Sequence, residues 1–167
     1  MSLKDKLEKC FKEGEIGGER HKGLKKIDAN QELIDKHLAK AAHNLNAVAD
    51  FKNIGYSDWS ANAAFYALYH CLLALLLKHN YQSRNQNCTF TFVEDLIHKG
   101  KTPLTLEDLK EIFDRDVTED LAHSEKILDI RETMQYSFKT SLEEEEFNKL
   151  LERTKSLFDK LRREVEK

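Results

Sequence analysis

With 167 residues, 40% of them hydrophobic and 34% charged, the chain can bury one core but not several. One proline and six glycines against so many charges exclude a turn-rich sheet architecture and favour amphipathic helices. The net charge of −3 removes any global pull toward nucleic acid.

Leu3, Leu7 and Phe11 recur every four residues and predict a short amphipathic helix. Gly14 to Gly18 break it, and the polar stretch that follows makes residues 14–28 a mobile connector. Residues 1–26 hold eight Lys/Arg and five Asp/Glu, a solvated face with a slight preference for anions. No apolar run of signal length opens the chain. Residues 1–28 therefore read as helix and connector, and residues 29–167 as the bundle domain.

Asp28 or Asn30 can cap the next helix, whose apolar positions Ile34, Leu38, Ala41, Leu45 and Val48 keep the helical period to about Phe51. Gly55 supplies its C-terminal stop. The short link to Ser57 predicts an antiparallel pair with the stretch that dominates the chain, SDWSANAAFYALYHCLLALLLKHNY. Ser57 can cap this helix, and between Ala61 and Leu77 only Asn62 and His70 are strongly polar. A helix apolar on nearly every face must be wrapped by others. It is too interrupted to read as a membrane span.

After Asn80 comes a polar loop. Phe90, Val93 and Ile97 then mark a helix stopped at Gly100, within which Thr89 to Val93 is the sole plausible strand. Thr105 and Asp108 form a capping box for a further helix. Val117, Leu121, Ile127, Met134 and Phe138 carry the next apolar line to about Lys139. Ser141 and Glu144 form a second capping box before the closing helix, in which Phe147, Leu150, Thr154, Leu157, Leu161 and Val165 face inward. The predicted fold is all-α: an up-and-down bundle of five or six helices around a central apolar helix at about 57–80.

Candidate chemistry is sparse. Glu94 and His98, and Glu119 and His123, stand four apart, but no Glu-x-x-His occurs and the central helix offers no inward carboxylate, so no metal or other cofactor is expected. Cys10, Cys71 and Cys88 make an odd count with no paired spacing, which argues against a disulfide framework and for a reducing cytoplasm. Asn62, Tyr66 and His70, each four apart, form a polar strip on the central helix: either buried groups that satisfy one another or the wall of a pocket or dimer interface. No nucleophile elbow, phosphate loop or RNA-stacking platform is present. Residues 105–132 carry ten Asp/Glu against four Lys/Arg, a face that repels phosphates unless masked.

The order of these features resembles HEPN domains. The front half is carried by Asp58-Trp59-Ser60, Ala63-Ala64-Phe65-Tyr66-Ala67-Leu68-Tyr69 and Leu72 to Leu77. Ile130-Arg131-Glu132-Thr133-Met134-Gln135-Tyr136 is similar to the second landmark, and Glu143 to Phe158 to the closing helix. The likeness covers about residues 30–165. It implies a helical bundle that dimerises, with metal-independent ribonuclease activity or pairing with a small nucleotidyltransferase in a toxin–antitoxin system. The family's catalytic signature is Arg, four to six residues, then His. Arg131 fits the Arg, Tyr136 stands where a His could, and no His follows His123.

The expectation is accordingly a module that binds a nucleotide, RNA or a partner protein at a cleft formed by Arg131, Tyr136, Asn62, Tyr66 and His70. It would not cut RNA in the usual way, because histidine titrates at about 6.5 and tyrosine at about 10. Two alternatives stand beside it. One is an active ribonuclease borrowing His70 or His123 from another helix or subunit; the other is a helical protein that binds only protein. The membrane is not an expected partner.

Overall fold

The computed structural model describes residues 1–112 and 127–167. Within them the chain forms seven helices: α1 (Leu3–Glu15), α2 (Gln31–Asn53), α3 (Ser60–Lys78), α4 (Gln86–His98), α5 (Leu106–Ile112), α6 (Ile127–Tyr136) and α7 (Glu144–Glu166). A two-stranded antiparallel ribbon, β1 (Leu24–Lys26) with β2 (Tyr81–Ser83), accompanies them, Leu24 facing Ser83. The fold is an all-α bundle with one or two more helices than the apolar pattern predicts. Val117 and Leu121 of the expected line, Glu119 and His123, and half of the acidic run lie outside the described residues.

α3 is the axis. Fourteen of its residues are buried, among them Phe65, Leu68, Leu72, Leu75 and Leu76. By length and composition the stretch Ser57–Lys78 is apolar enough to cross a membrane, and here two-thirds of it is buried within the protein. α2 runs antiparallel to it, with Ser60 Oγ bonded to Val48 O near one end and His37 facing His70 nearer the other. α2 buries Ile34, Ala41 and Val48, one residue every two turns. α7 runs parallel to α3. Leu142, just before α7, donates to Ser57 Oγ at 2.8 Å, and Lys78 Nζ donates to Glu164 O at 2.5 Å at the other end. Lys52 clamps the C-terminus of α2 to α7 through Glu144 at 2.6 Å and the Phe147 ring at 4.4 Å.

Asn30 caps α2 through the Leu33 N–H, and the Thr105–Asp108 box opens α5. Gly55, with φ of 85°, ends α2 as expected. Ser57 does not cap α3. It begins a 3₁₀ turn, Ser57–Trp59, and its hydroxyl goes to the Leu142 N–H instead. The capping box of α7 also falls two residues later than predicted, between Glu143 and Glu146, because residues 141–142 are drawn to that bond with Ser57.

Three expectations are corrected. Residues 14–28 are packed, not a structureless connector: Leu24 and His21 are buried, His21 Nδ1 accepts from the Gly23 N–H, and Nε2 bonds Gln82 at 3.1 Å. The physical reason is close approach. A Cβ on Gly14 would stand 1.7 Å from Leu24 O and one on Gly23 2.2 Å from Cys10 O, so only glycines allow α1 to lie on β1. Thr89 to Val93 is helical; the strands lie elsewhere, one of them in the stretch expected to be a polar loop. Cys10 and Cys88 are joined in a disulfide, leaving Cys71 free and buried. Their separation of 78 residues gives no local spacing to detect, so the cysteine count is no argument for a reducing compartment.

Candidate functional site

The antiparallel pairing of α2 and α3, with α6 laid across the start of α3, leaves a cleft of about 860 Å³. Its polar wall is Lys40, His43 and Asn44 from α2, and Asn62 and His70 from α3. Arg131 from α6 and Lys139 beyond it add positive charge. Phe51, Trp59, Tyr66 and Phe138 supply aromatic surface, and Asp58 is the one carboxylate among the described lining residues.

Arg131 is positioned by α6 itself. Ile127, Ile130 and Met134 face the core, which turns the neighbouring position 131 along the edge of α3. Its Nε donates to Asn62 Oδ1 at 3.0 Å. The guanidinium lies 4.1 Å from the Phe65 ring centre and 5.6 Å from that of Tyr66. A cation over an aromatic face keeps its charge while its plane is fixed, the arrangement suited to a planar or anionic ligand. Phe65 is in turn stacked on Tyr69 at 5.9 Å and packed against Phe90 at 6.5 Å. The platform under Arg131 is therefore part of the core.

His70 meets His37 of α2, Nδ1 to Nδ1 at 3.0 Å, with ring centres 5.3 Å apart. One ring must donate and the other accept, so the two imidazoles cannot both be protonated while the contact holds. Burial, then the His37 charge, then Lys40 hold the His70 pKa down at about 4, and burial also lowers that of His37. The unfolded chain takes up these protons near 6.5, the folded one only near 4 at His70, so stability falls as pH drops through that window. Full desolvation would make the His70 contribution about 3 kcal/mol. His70 is half-exposed, and solvent screening reduces the expected loss to about 1–2 kcal/mol. Thermal melts between pH 7 and pH 4 should show that loss, and His70→Gln should flatten the curve; parallel curves for the two proteins would refute the assignment.

Of the residues read from sequence, Arg131, Asn62, Tyr66 and His70 come together. Tyr136 does not: it is 81% exposed and absent from the cleft lining, because α6 ends there and turns it outward. Lys40, His43, Trp59 and the His37 partner were missed. The sequence signal of the three α2 residues is helical phase, which shows a face without showing what it faces, and that of Trp59 is its place in the Asp58-Trp59-Ser60 landmark. Ile54, Tyr56, Trp59, Tyr66 and Phe138 are exposed around this end of the bundle. Among the described residues no three His, Cys, Asp or Glu side chains gather into a metal-binding group, and Glu94 and His98 form an ordinary surface pair at 3.7 Å.

The HEPN domain family model matches residues 34–164, which spans α2 through α7 and every helix that walls the cleft. The chain belongs to the HEPN family. A HEPN domain points to a nucleic-acid-related or ribonuclease-type module, and the landmarks that carry the likeness are the ones that meet here: Phe65 and Tyr66 on α3 against Arg131 on α6. No curated protein matches the chain significantly. The family match leaves out α1 and the ribbon strand β1.

Proposed function

We propose that this HEPN protein binds a nucleotide or a short single-stranded RNA in the α2–α3–α6 cleft and does not cut RNA by the usual Arg–His route. The observation that carries the reading is the Arg131 guanidinium held over Phe65 and Tyr66 at the mouth of a cleft that also presents Lys40 and Lys139. Phosphate would engage these cations, bidentately at Arg131. A base would stack on the exposed Trp59 or Tyr66, and stacking is tolerant of sequence because every base has a π-face. Against the usual cleavage stand two facts: no histidine follows Arg131 in the chain, and Tyr136 faces solvent.

One observation favours the ribonuclease reading instead. His43 and His70 line the same cleft as Arg131, and a histidine beside a fixed cation is what 2′-hydroxyl activation requires. His70 is a weak base, since its pKa near 4 leaves little proton affinity at neutral pH. A labelled oligoribonucleotide incubated with metal-free protein decides between them. Binding measured by fluorescence anisotropy, weakened about 10-fold in Trp59→Ala, with the substrate intact on a gel, is the expected result. Cleavage abolished in His43→Ala would establish the ribonuclease reading; neither binding nor cleavage would leave a protein-partner role.

A further inference from the structure

We propose that the Cys10–Cys88 disulfide is a reversible redox clasp that holds the N-terminal unit, residues 1–26, onto the bundle. The bond joins α1 to α4 across 78 residues of sequence. Without it α1 has thin anchorage. Its buried residues are Cys10 and Gly14 alone, and Leu7 and Phe11 are only partly covered. α1 rests on β1 through the Gly14 and Gly23 contacts and on β2 through Phe11 against Tyr81 at 5.7 Å, and β1 is joined to the rest of the protein by a three-residue ribbon, the buried Leu24, two flanking backbone bonds (Arg84 N–H to Gly23 O and Ile27 N–H to Asn80 O) and the His21–Gln82 bond. α4, by contrast, is built into the core. Phe90 packs on Phe65, and Thr89 Oγ1 bonds the Tyr69 hydroxyl at 3.2 Å. The covalent bond thus ties a weakly held element to a strongly held one.

The two cysteines are 7% and 2% exposed, and exchange would go through a hollow beside them. This hollow of about 340 Å³ is walled by both cysteines together with Lys6, Lys9, Glu13 and Asn85, two ammonium groups against one carboxylate. Nearby ammonium groups favour an incoming thiolate and stabilise the one that leaves. The reductant is a low-molecular-weight thiol. Its thiolate attacks one cystine sulfur, the S–S bond breaks, and the other cysteine departs as a thiolate that takes a proton. A second thiol then attacks the mixed disulfide, so two thiols are oxidised to one disulfide and Cys10 and Cys88 are left as two thiols. Cys71 takes no part: it is buried in α3, where burial pushes its pKa up to about 12.

Hydrogen exchange on the full chain, equilibrated with glutathione as disulfide or as thiol, tests the clasp. Protection of residues 3–26 should fall at least about tenfold on reduction and return on reoxidation, with α3 unchanged. Cys10→Ser should show the low protection in both buffers, and Cys71→Ser should behave as the parent. Three titratable thiols in glutathione disulfide, unchanged protection after reduction, or loss of protection across α3 as well would each overturn the proposal.

Discussion

Arg131→Ala should weaken oligonucleotide binding by about 10- to 100-fold while leaving a folded bundle. The magnitude follows from a charge-assisted contact worth about 1.5–3 kcal/mol, at about 1.4 kcal/mol for each factor of ten. Arg131→Lys separates the contributions. It keeps the charge but loses the plane that lies over Phe65 at 4.1 Å and the Nε bond to Asn62. Partial recovery would show that the flat, oriented head contributes beyond charge. Full recovery would reduce Arg131 to a point charge, and affinity unchanged in Arg131→Ala would remove it from the site. Titrations at two salt concentrations should also show a shallower salt dependence for the alanine variant.

Phe65→Ala should carry the largest stability loss of any change at the site, about 3–5 kcal/mol. Phe65 is completely buried beneath Arg131, stacked on Tyr69 and packed on Phe90. The expected fall in Tm is about 10 °C for a domain of this size. Phe65→Leu distinguishes packing from platform. It retains most of the buried volume, so its stability loss should be small, yet it removes the ring face and should loosen Arg131. Calorimetry with anisotropy on the same samples reads both. A leucine variant with wild-type affinity would show that the ring is core filling and nothing more.

The sequence makes the bundle legible where burial is unbroken. The apolar run of α3, flanked on both sides by amphipathic helices, reads as a core helix wrapped by the lines of α2 and α7. Four residues of the cleft were legible for the same reason: Asn62, Tyr66 and His70 interrupt a buried helix, and Arg131 flanks the Ile127–Met134 line. What was not legible depends on contacts between distant segments. The Ser57 hydroxyl suits a cap equally well and is spent instead on a backbone amide 85 residues away. His43 and Lys40 look like polar-face residues of α2 until the antiparallel pairing turns them toward α3. The Cys10–Cys88 bond and the Gly14–Leu24 approach are likewise products of packing rather than of spacing.

The most direct measurement of the central claim is photocrosslinking of a short oligoribonucleotide carrying a photoactivatable uridine, followed by peptide mapping. The proposed site predicts crosslinks within residues 56–70 and 131–139, lost when unlabelled oligonucleotide competes and reduced in Arg131→Ala. Crosslinks confined to α1 or to the exposed face of α7, undiminished in Arg131→Ala, would contradict it.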